Sequence, residues 1–172
     1  QGADMEIVAV NDLGDTATMA HLLKYDSVLG NLDNEINAVD DGIEIDGQLL
    51  RVLSERDPQD LPWGDLGVDV VIESTGIFTD REKAAMHIEA GAPLVIVSAP
   101  ANGADATFVV GVNDSDFDKA EHTVISNASC TTNCFVPMVQ VLDDAFGVEK
   151  GLMTTVHAYT GDQSLVDGPH GD

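Results

Sequence analysis

Cations are scarce in this sequence: 7 lysines and arginines stand against 31 aspartates and glutamates, for a formal net charge of −24. A surface of that sign repels nucleic-acid phosphates and anionic lipid headgroups, which argues against nucleic acid or membrane as a partner. The acids do not form a tail, since Asp12, Asp41, Asp69, Asp105, Asp143 and Asp167 sample the whole length. Such a dispersed excess repels itself across a Debye length of about 30 Å at 0.01 M salt and is screened to about 3 Å near 1 M. Adaptation to high salt, as in proteins of halophiles, is the expectation.

Cysteine is nearly absent too. Cys130 and Cys134 are the only two, too few for a disulfide scaffold. A zinc knuckle would need a second cysteine pair or closely spaced histidines, and none follows, so no metal is expected. No apolar run reaches the roughly 20 residues of a membrane span; a soluble, cytoplasmic protein is the expectation.

What is present alternates between two periods. Short Val- and Ile-rich runs at 6–10, 68–73, 94–97, 107–110, 123–126 and 152–157 read as buried strands. Helices are predicted over 16–25, over 80–90 with Asp80 as N-cap and Gly91 beyond its end, and from Ser129 or Cys130 to a stop at Gly147. Ile43 to Ile45 and Leu49 to Val52 flank Asp46-Gly47, a strong hairpin turn. Strands alternating with helices argue an α/β fold with parallel strands.

Asp12 follows the first of these strands, where a dinucleotide fold keeps an acid for the adenosine ribose. An Asx turn at a strand end is the simpler reading of Asp12 by itself. A dinucleotide fold also needs a Gly-rich phosphate loop about 20 residues before that acid, and no such loop precedes Asp12. The expectation is therefore an internal fragment, its amino-terminal strand, Gly-rich loop and helix missing, and inactive when expressed alone.

A thiol with a pKa near 8.5 is only a few per cent thiolate at neutral pH and needs help to act as a nucleophile. Two devices are in reach of Cys130. It opens a helix, whose amino-terminal dipole and free N–H groups favour an anion, and His157 closes an apolar run that would deliver it to the same sheet edge. Ser129, Thr131, Thr132 and Asn133 add small polar donors around the thiol. His21, His87, His122 and His170 have no comparable setting and read as structural. Cys134, one turn deeper, fits a small buried residue better. The residues alone point to covalent acyl or aldehyde chemistry and name no substrate.

The runs Ser129-Cys130-Thr131-Thr132-Asn133-Cys134 and Thr154-Thr155-Val156-His157-Ala158-Tyr159-Thr160 resemble the active-site motifs of phosphorylating glyceraldehyde-3-phosphate dehydrogenases. Val10-Asn11-Asp12-Leu13, Ser54-Glu55-Arg56-Asp57-Pro58, Glu73-Ser74-Thr75-Gly76 and Ser98-Ala99-Pro100 extend the likeness over essentially the whole chain. The resemblance implies a Rossmann-like, doubly wound parallel sheet over 1–129, an incomplete NAD-binding domain, leading at 130–172 into a truncated α+β catalytic domain. It implies a glycolytic and gluconeogenic oxidoreductase that oxidises glyceraldehyde 3-phosphate with NAD and inorganic phosphate through a Cys130 thiohemiacetal and thioester. His157 would be its acid and base. Ser129, Thr131 and Thr160 would contact substrate or phosphate; Asp12, Arg56 and Ser98 would contact NAD. A homotetramer is implied as well. Two alternatives stay open: an erythrose-4-phosphate dehydrogenase of the same family, and a non-catalytic nucleotide-binding or thiol redox protein with Cys130 and Cys134 as its pair.

Overall fold

Two four-stranded sheets share one core in the computed structural model, which describes residues 4–26 and 29–158. The first sheet contains β1 (Ala9–Asn11), β2 (Ile36–Val39), β3 (Gly42–Ile45) and β4 (Gln48–Leu53), in the order β1-β4-β3-β2, with α1 (Thr16–Lys24) between β1 and β2. Asp15 caps α1, accepting the Thr18 N–H at 2.8 Å. The β3–β4 hairpin turns on Asp46 and Gly47, at φ 48° and 81°. Two left-handed residues in a row give the turn whose twist matches that of paired strands. Only β1 and β4 run parallel here; the β2–β3 and β3–β4 pairs are antiparallel.

The second sheet is parallel throughout. Its strands β5 (Val71–Glu73), β6 (Val95–Val97), β7 (Ala106–Thr107) and β8 (Val124–Ser126) lie in the order β5-β6-β8-β7. The short helices α2 (Arg81–Ala84) and α3 (Met86–Glu89) connect β5 to β6, and α4 (Cys130–Phe146) follows β8. Val71, Val95, Val97 and Val124 pack with Leu61, Trp63, Ala84 and Ala92 into a buried cluster, and Ala9 and Leu53 of the first sheet rest against it. Each such valine contributes on the order of 1.5–3 kcal/mol of burial free energy. A backbone crossing closes the cluster: at Gly91, φ 103°, a Cβ would stand 2.7 Å from Gly64.

The α/β class and parallel strands agree with the sequence reading, with differences in detail. The strands are shorter than the apolar runs that mark them. β2 carries no alternation and was not anticipated. The helix predicted over 80–90 breaks at Ala85, whose ψ of −14° tightens the turn. That tightening sets residues three apart on one face, and Ala84 and His87 are both buried. Asp80 precedes α2 without a side-chain cap; its carboxylate instead holds Lys83 at 2.9 Å and Asn102. The strand expected over 152–157 is absent, because no described strand lies alongside to take its hydrogen bonds, and the segment is exposed. No helix among the described residues is long and apolar enough to cross a membrane.

Candidate active site

β8 passes into α4 through Asn127, Ala128 and Ser129. Ala128 sits at φ 56°, a left-handed conformation that a Cβ disfavours. The surroundings hold it there: its N–H donates to Ser126 Oγ at 3.1 Å, and that hydroxyl donates to the Ala99 carbonyl at 2.7 Å. Ser129 then caps the helix, its Oγ accepting the Thr132 N–H at 3.0 Å. Asn133 ties the start of the helix to the bend, donating to the carbonyls of Asn127 and Ser129 at 2.8 and 2.9 Å.

Cys130 is thereby fixed in the first turn, as its sequence position predicts, and its sulfur is exposed. His157 Nε2 lies 3.5 Å from Cys130 Sγ. The other ring nitrogen, Nδ1, donates to the Ala158 carbonyl at 2.9 Å, which turns Nε2 toward the sulfur. The hydrogen bond from His157 holds the thiol below its ordinary pKa against the effect of desolvation, and the Thr131 N–H and hydroxyl act in the same direction. His157 is raised in turn, first by the Ala158 carbonyl and then by Cys130. Both shifts favour a thiolate–imidazolium pair, the activated state of a nucleophilic cysteine. The pair borders a cleft of about 510 Å³ whose walls include Phe135, Met138 and Met153.

Cys134 departs from expectation. It is exposed and lines the same cleft, because no described element covers that side of α4. Among the described residues no group of His, Cys, Asp and Glu could hold a metal ion.

Asp12, Arg56 and Ser98 each come after a strand, at its carboxyl end, where open α/β sheets take their ligands. Asp12 directly follows β1 and accepts the Gly14 N–H at 2.7 Å, so an Asx turn is present and leaves the carboxylate exposed. Arg56 is exposed in the loop after β4. Ser98 follows β6, its N–H bound to the Glu73 carbonyl at 2.9 Å. Thr160 lies outside the described residues.

Sequence reasoning missed Asn11. Its side-chain amide donates to the Glu55 carbonyl at 2.9 Å and accepts the Glu55 N–H at 2.8 Å, holding the Arg56 loop beside Asp12. An Asn that closes an apolar strand just before an acid was the signal available.

Comparison with known proteins gives the family. Residues 1–81 match the family model of the glyceraldehyde 3-phosphate dehydrogenase NAD binding domain, and residues 129–172 match that of the C-terminal domain of the same enzyme. The chain belongs to the glyceraldehyde-3-phosphate dehydrogenase family. It is 63% identical over 172 residues to the glyceraldehyde-3-phosphate dehydrogenase of Streptomyces coelicolor, covering 100% of this chain and 51% of the relative. It is 56% identical over 169 residues to that of Geobacillus stearothermophilus and 55% identical to glyceraldehyde-3-phosphate dehydrogenase 1 of Bacillus subtilis, covering 98% of this chain and 50% of each relative. The chain spans about half the length of these curated dehydrogenases.

Proposed function

We propose that this chain carries the nucleophile and the NAD side of a phosphorylating glyceraldehyde-3-phosphate dehydrogenase. The reading rests above all on the 3.5 Å approach of His157 Nε2 to Cys130 Sγ at the start of α4. Residues 1–129 are read as the NAD-binding domain and residues 130–172 as the beginning of the catalytic domain.

The residues at the sheet edge suit NAD. Asp12 is exposed with one carboxylate oxygen on Gly14, which leaves acceptor capacity for the adenosine ribose hydroxyls and charge that disfavours a 2′-phosphate. Arg56 would lie on the adenine side and Ser98 on the nicotinamide side. The Cys130 thiolate forms a bond to the aldehyde carbon of glyceraldehyde 3-phosphate, and His157 Nε2 gives its proton to the new oxygen, yielding a thiohemiacetal. His157 Nε2 takes back that hydroxyl proton as the carbon is oxidised. NAD, held by Asp12, Arg56 and Ser98, would supply the hydride acceptor for that oxidation, and a thioester would remain on Cys130. Inorganic phosphate attacks the thioester carbonyl, the carbon–sulfur bond breaks with its electrons returning to Cys130, and 1,3-bisphosphoglycerate leaves. Ser129, Thr131 and Thr160 would contact substrate or the attacking phosphate, with Ser129 Oγ also serving as the helix cap.

The homotetramer, the cytoplasmic setting, the place in glycolysis and gluconeogenesis, and the adaptation to salt belong to the same reading. The test is rapid mixing of the intact enzyme with glyceraldehyde 3-phosphate and NAD without phosphate. One equivalent of NADH per active site should form in a burst and stop until phosphate is added. Steady turnover without phosphate, or no burst, would sink the reading.

A further inference from the structure

A second constellation, unlike the first, is buried. Glu73, at the end of β5, and His87, in α3, are 4% and 5% exposed, and Trp63 packs beside them in the core. Trp63 Nε1–H meets His87 Nδ1 at 3.0 Å, and His87 Nε2 meets Glu73 Oε2 at 3.0 Å. An indole N–H can only donate, so Nδ1 accepts, the ring proton sits on Nε2, and Nε2–H donates to the carboxylate.

The other carboxylate oxygen, Oε1, accepts the Thr75 N–H at 2.7 Å and the Thr75 hydroxyl, and Thr75 Oγ1 in turn accepts the Ile77 N–H at 3.1 Å. Burial pushes the Glu73 carboxyl up, but the bonds from His87 and Thr75 outweigh it and hold the carboxyl below its ordinary value. A single buried anion is thus satisfied by neutral donors from two directions, a costly arrangement if any donor is lost. One end of the chain is the core indole. The other end is the Ser74-Thr75-Gly76 turn, which leaves β5 at the carboxyl edge of the parallel sheet beside Ser98, with Gly76 at φ 74°.

We infer that His87 is a positioning residue for the cofactor: locked by Trp63 with its proton on Nε2, it orients Glu73, and Glu73 holds the exposed turn at residues 74–76 in a shape ready for NAD. The inference rests on the NAD reading above. Loss of the His87 donor leaves Glu73 with an unmatched buried oxygen; the carboxylate turns toward water and the turn loosens. NAD must then order the turn as it binds, which weakens affinity without touching Cys130 or His157.

The test uses the intact enzyme and three variants. His87→Leu removes both ring nitrogens, His87→Gln keeps a donor aimed at Glu73, and Trp63→Phe removes the lock on the tautomer. NAD affinity is measured by titration calorimetry, and amide exchange of the peptide covering residues 74–77 by mass spectrometry. His87→Leu should raise the NAD Kd about tenfold and speed exchange at 74–77 by a similar factor, with kcat at saturating NAD within about twofold of wild type. His87→Gln should recover most of both effects, and Trp63→Phe should fall between. A His87→Leu enzyme that loses thermal stability yet binds NAD and exchanges at 74–77 as wild type does overturns the proposal, as does failure of His87→Gln to recover either readout. If His87→Leu does not fold, the Trp63→Phe and His87→Gln pair decides by the same readouts. A wild-type enzyme that binds no NAD overturns the cofactor reading instead, and exchange at 74–77 still shows whether His87 holds the turn.

Discussion

His157 Nε2 faces Cys130 Sγ at 3.5 Å, while its Nδ1 is occupied by the carbonyl of the next residue, Ala158. The sulfur therefore meets a nitrogen whose direction is set by a backbone hydrogen bond. The thiol is lowered and the imidazole raised, so both shifts favour the thiolate–imidazolium pair. Iodoacetamide should label Cys130 in the intact enzyme faster than Cys134 at mildly acidic pH. In His157→Asn the pH profile of that labelling should move up toward the ordinary thiol range, near 8.5, with the rate at pH 6 down by about tenfold or more. Equal, slow labelling of both cysteines in the wild-type enzyme would contradict the activated thiol.

The cap at Ser129 serves the helix as well as the chemistry. Ser129→Ala leaves the Thr132 N–H without its partner and should lower stability by about 1 kcal/mol, read by urea unfolding. Ser129→Asp should regain most of that stability, because a carboxylate caps as well as a hydroxyl does. It should still slow alkylation of Cys130, since a negative charge beside the sulfur opposes the thiolate.

Asp105 connects three elements. It accepts Arg81 Nε at 2.6 Å, the Thr123 N–H at 2.8 Å and the Val124 N–H at 2.9 Å. Desolvation pushes its carboxyl up, and these bonds, with that from Thr123 Oγ1, more than reverse it and hold it well below the usual carboxylate range. A carboxyl depressed in the folded state contributes stability that is present above its unfolded pKa, about 3.9, and is lost as pH falls through the folded value. Asp105→Asn should cost about 2 kcal/mol near pH 7, and the gap to wild type should shrink progressively below about pH 4. A gap that widens in acid would contradict the assignment.

Charge makes a separate prediction. With a net charge of −24 on 172 residues, raising potassium chloride from about 0.01 M to about 1 M shortens the Debye length from about 30 to about 3 Å. The melting temperature should climb through that range, and most of the climb should come before the screening length falls below the spacing of surface charges. A melting temperature highest at the low-salt end would remove the case for salt adaptation.

The parts of the fold legible in the sequence are those where local chemistry leaves one solution. Asp46-Gly47 specifies its own turn, the Val and Ile runs specify buried strands, and Ser129 and Gly147 mark the two ends of α4. Cys130 and His157 were legible as a pair because helix start and thiol chemistry agree. The rest depends on contacts distant in sequence. The break at Ala85 follows from two inward residues, Ala84 and His87, that only the core at Trp63 explains. The run ending at His157 has the composition of a strand, yet it is not one among the described residues, since a strand exists only where a neighbour accepts its bonds. Cys134 looked buried because helix depth was visible and the cover over that face was not. Asn11 and Glu73 went unread because their partners, Glu55 and His87, lie 44 and 14 positions away.

The Asn11 clamp separates two kinds of variation. It grips the backbone of Glu55 and ignores its side chain, so position 55 tolerates any residue with an N–H and excludes proline alone. Ser54 and Arg56 flank that single fastening without belonging to either sheet ladder. Their side chains can change while the register of β1 on β4 stays put. If Arg56 lies on the adenine side, as proposed above, a two-position library at 54 and 56 should retune coenzyme preference at little risk to the scaffold.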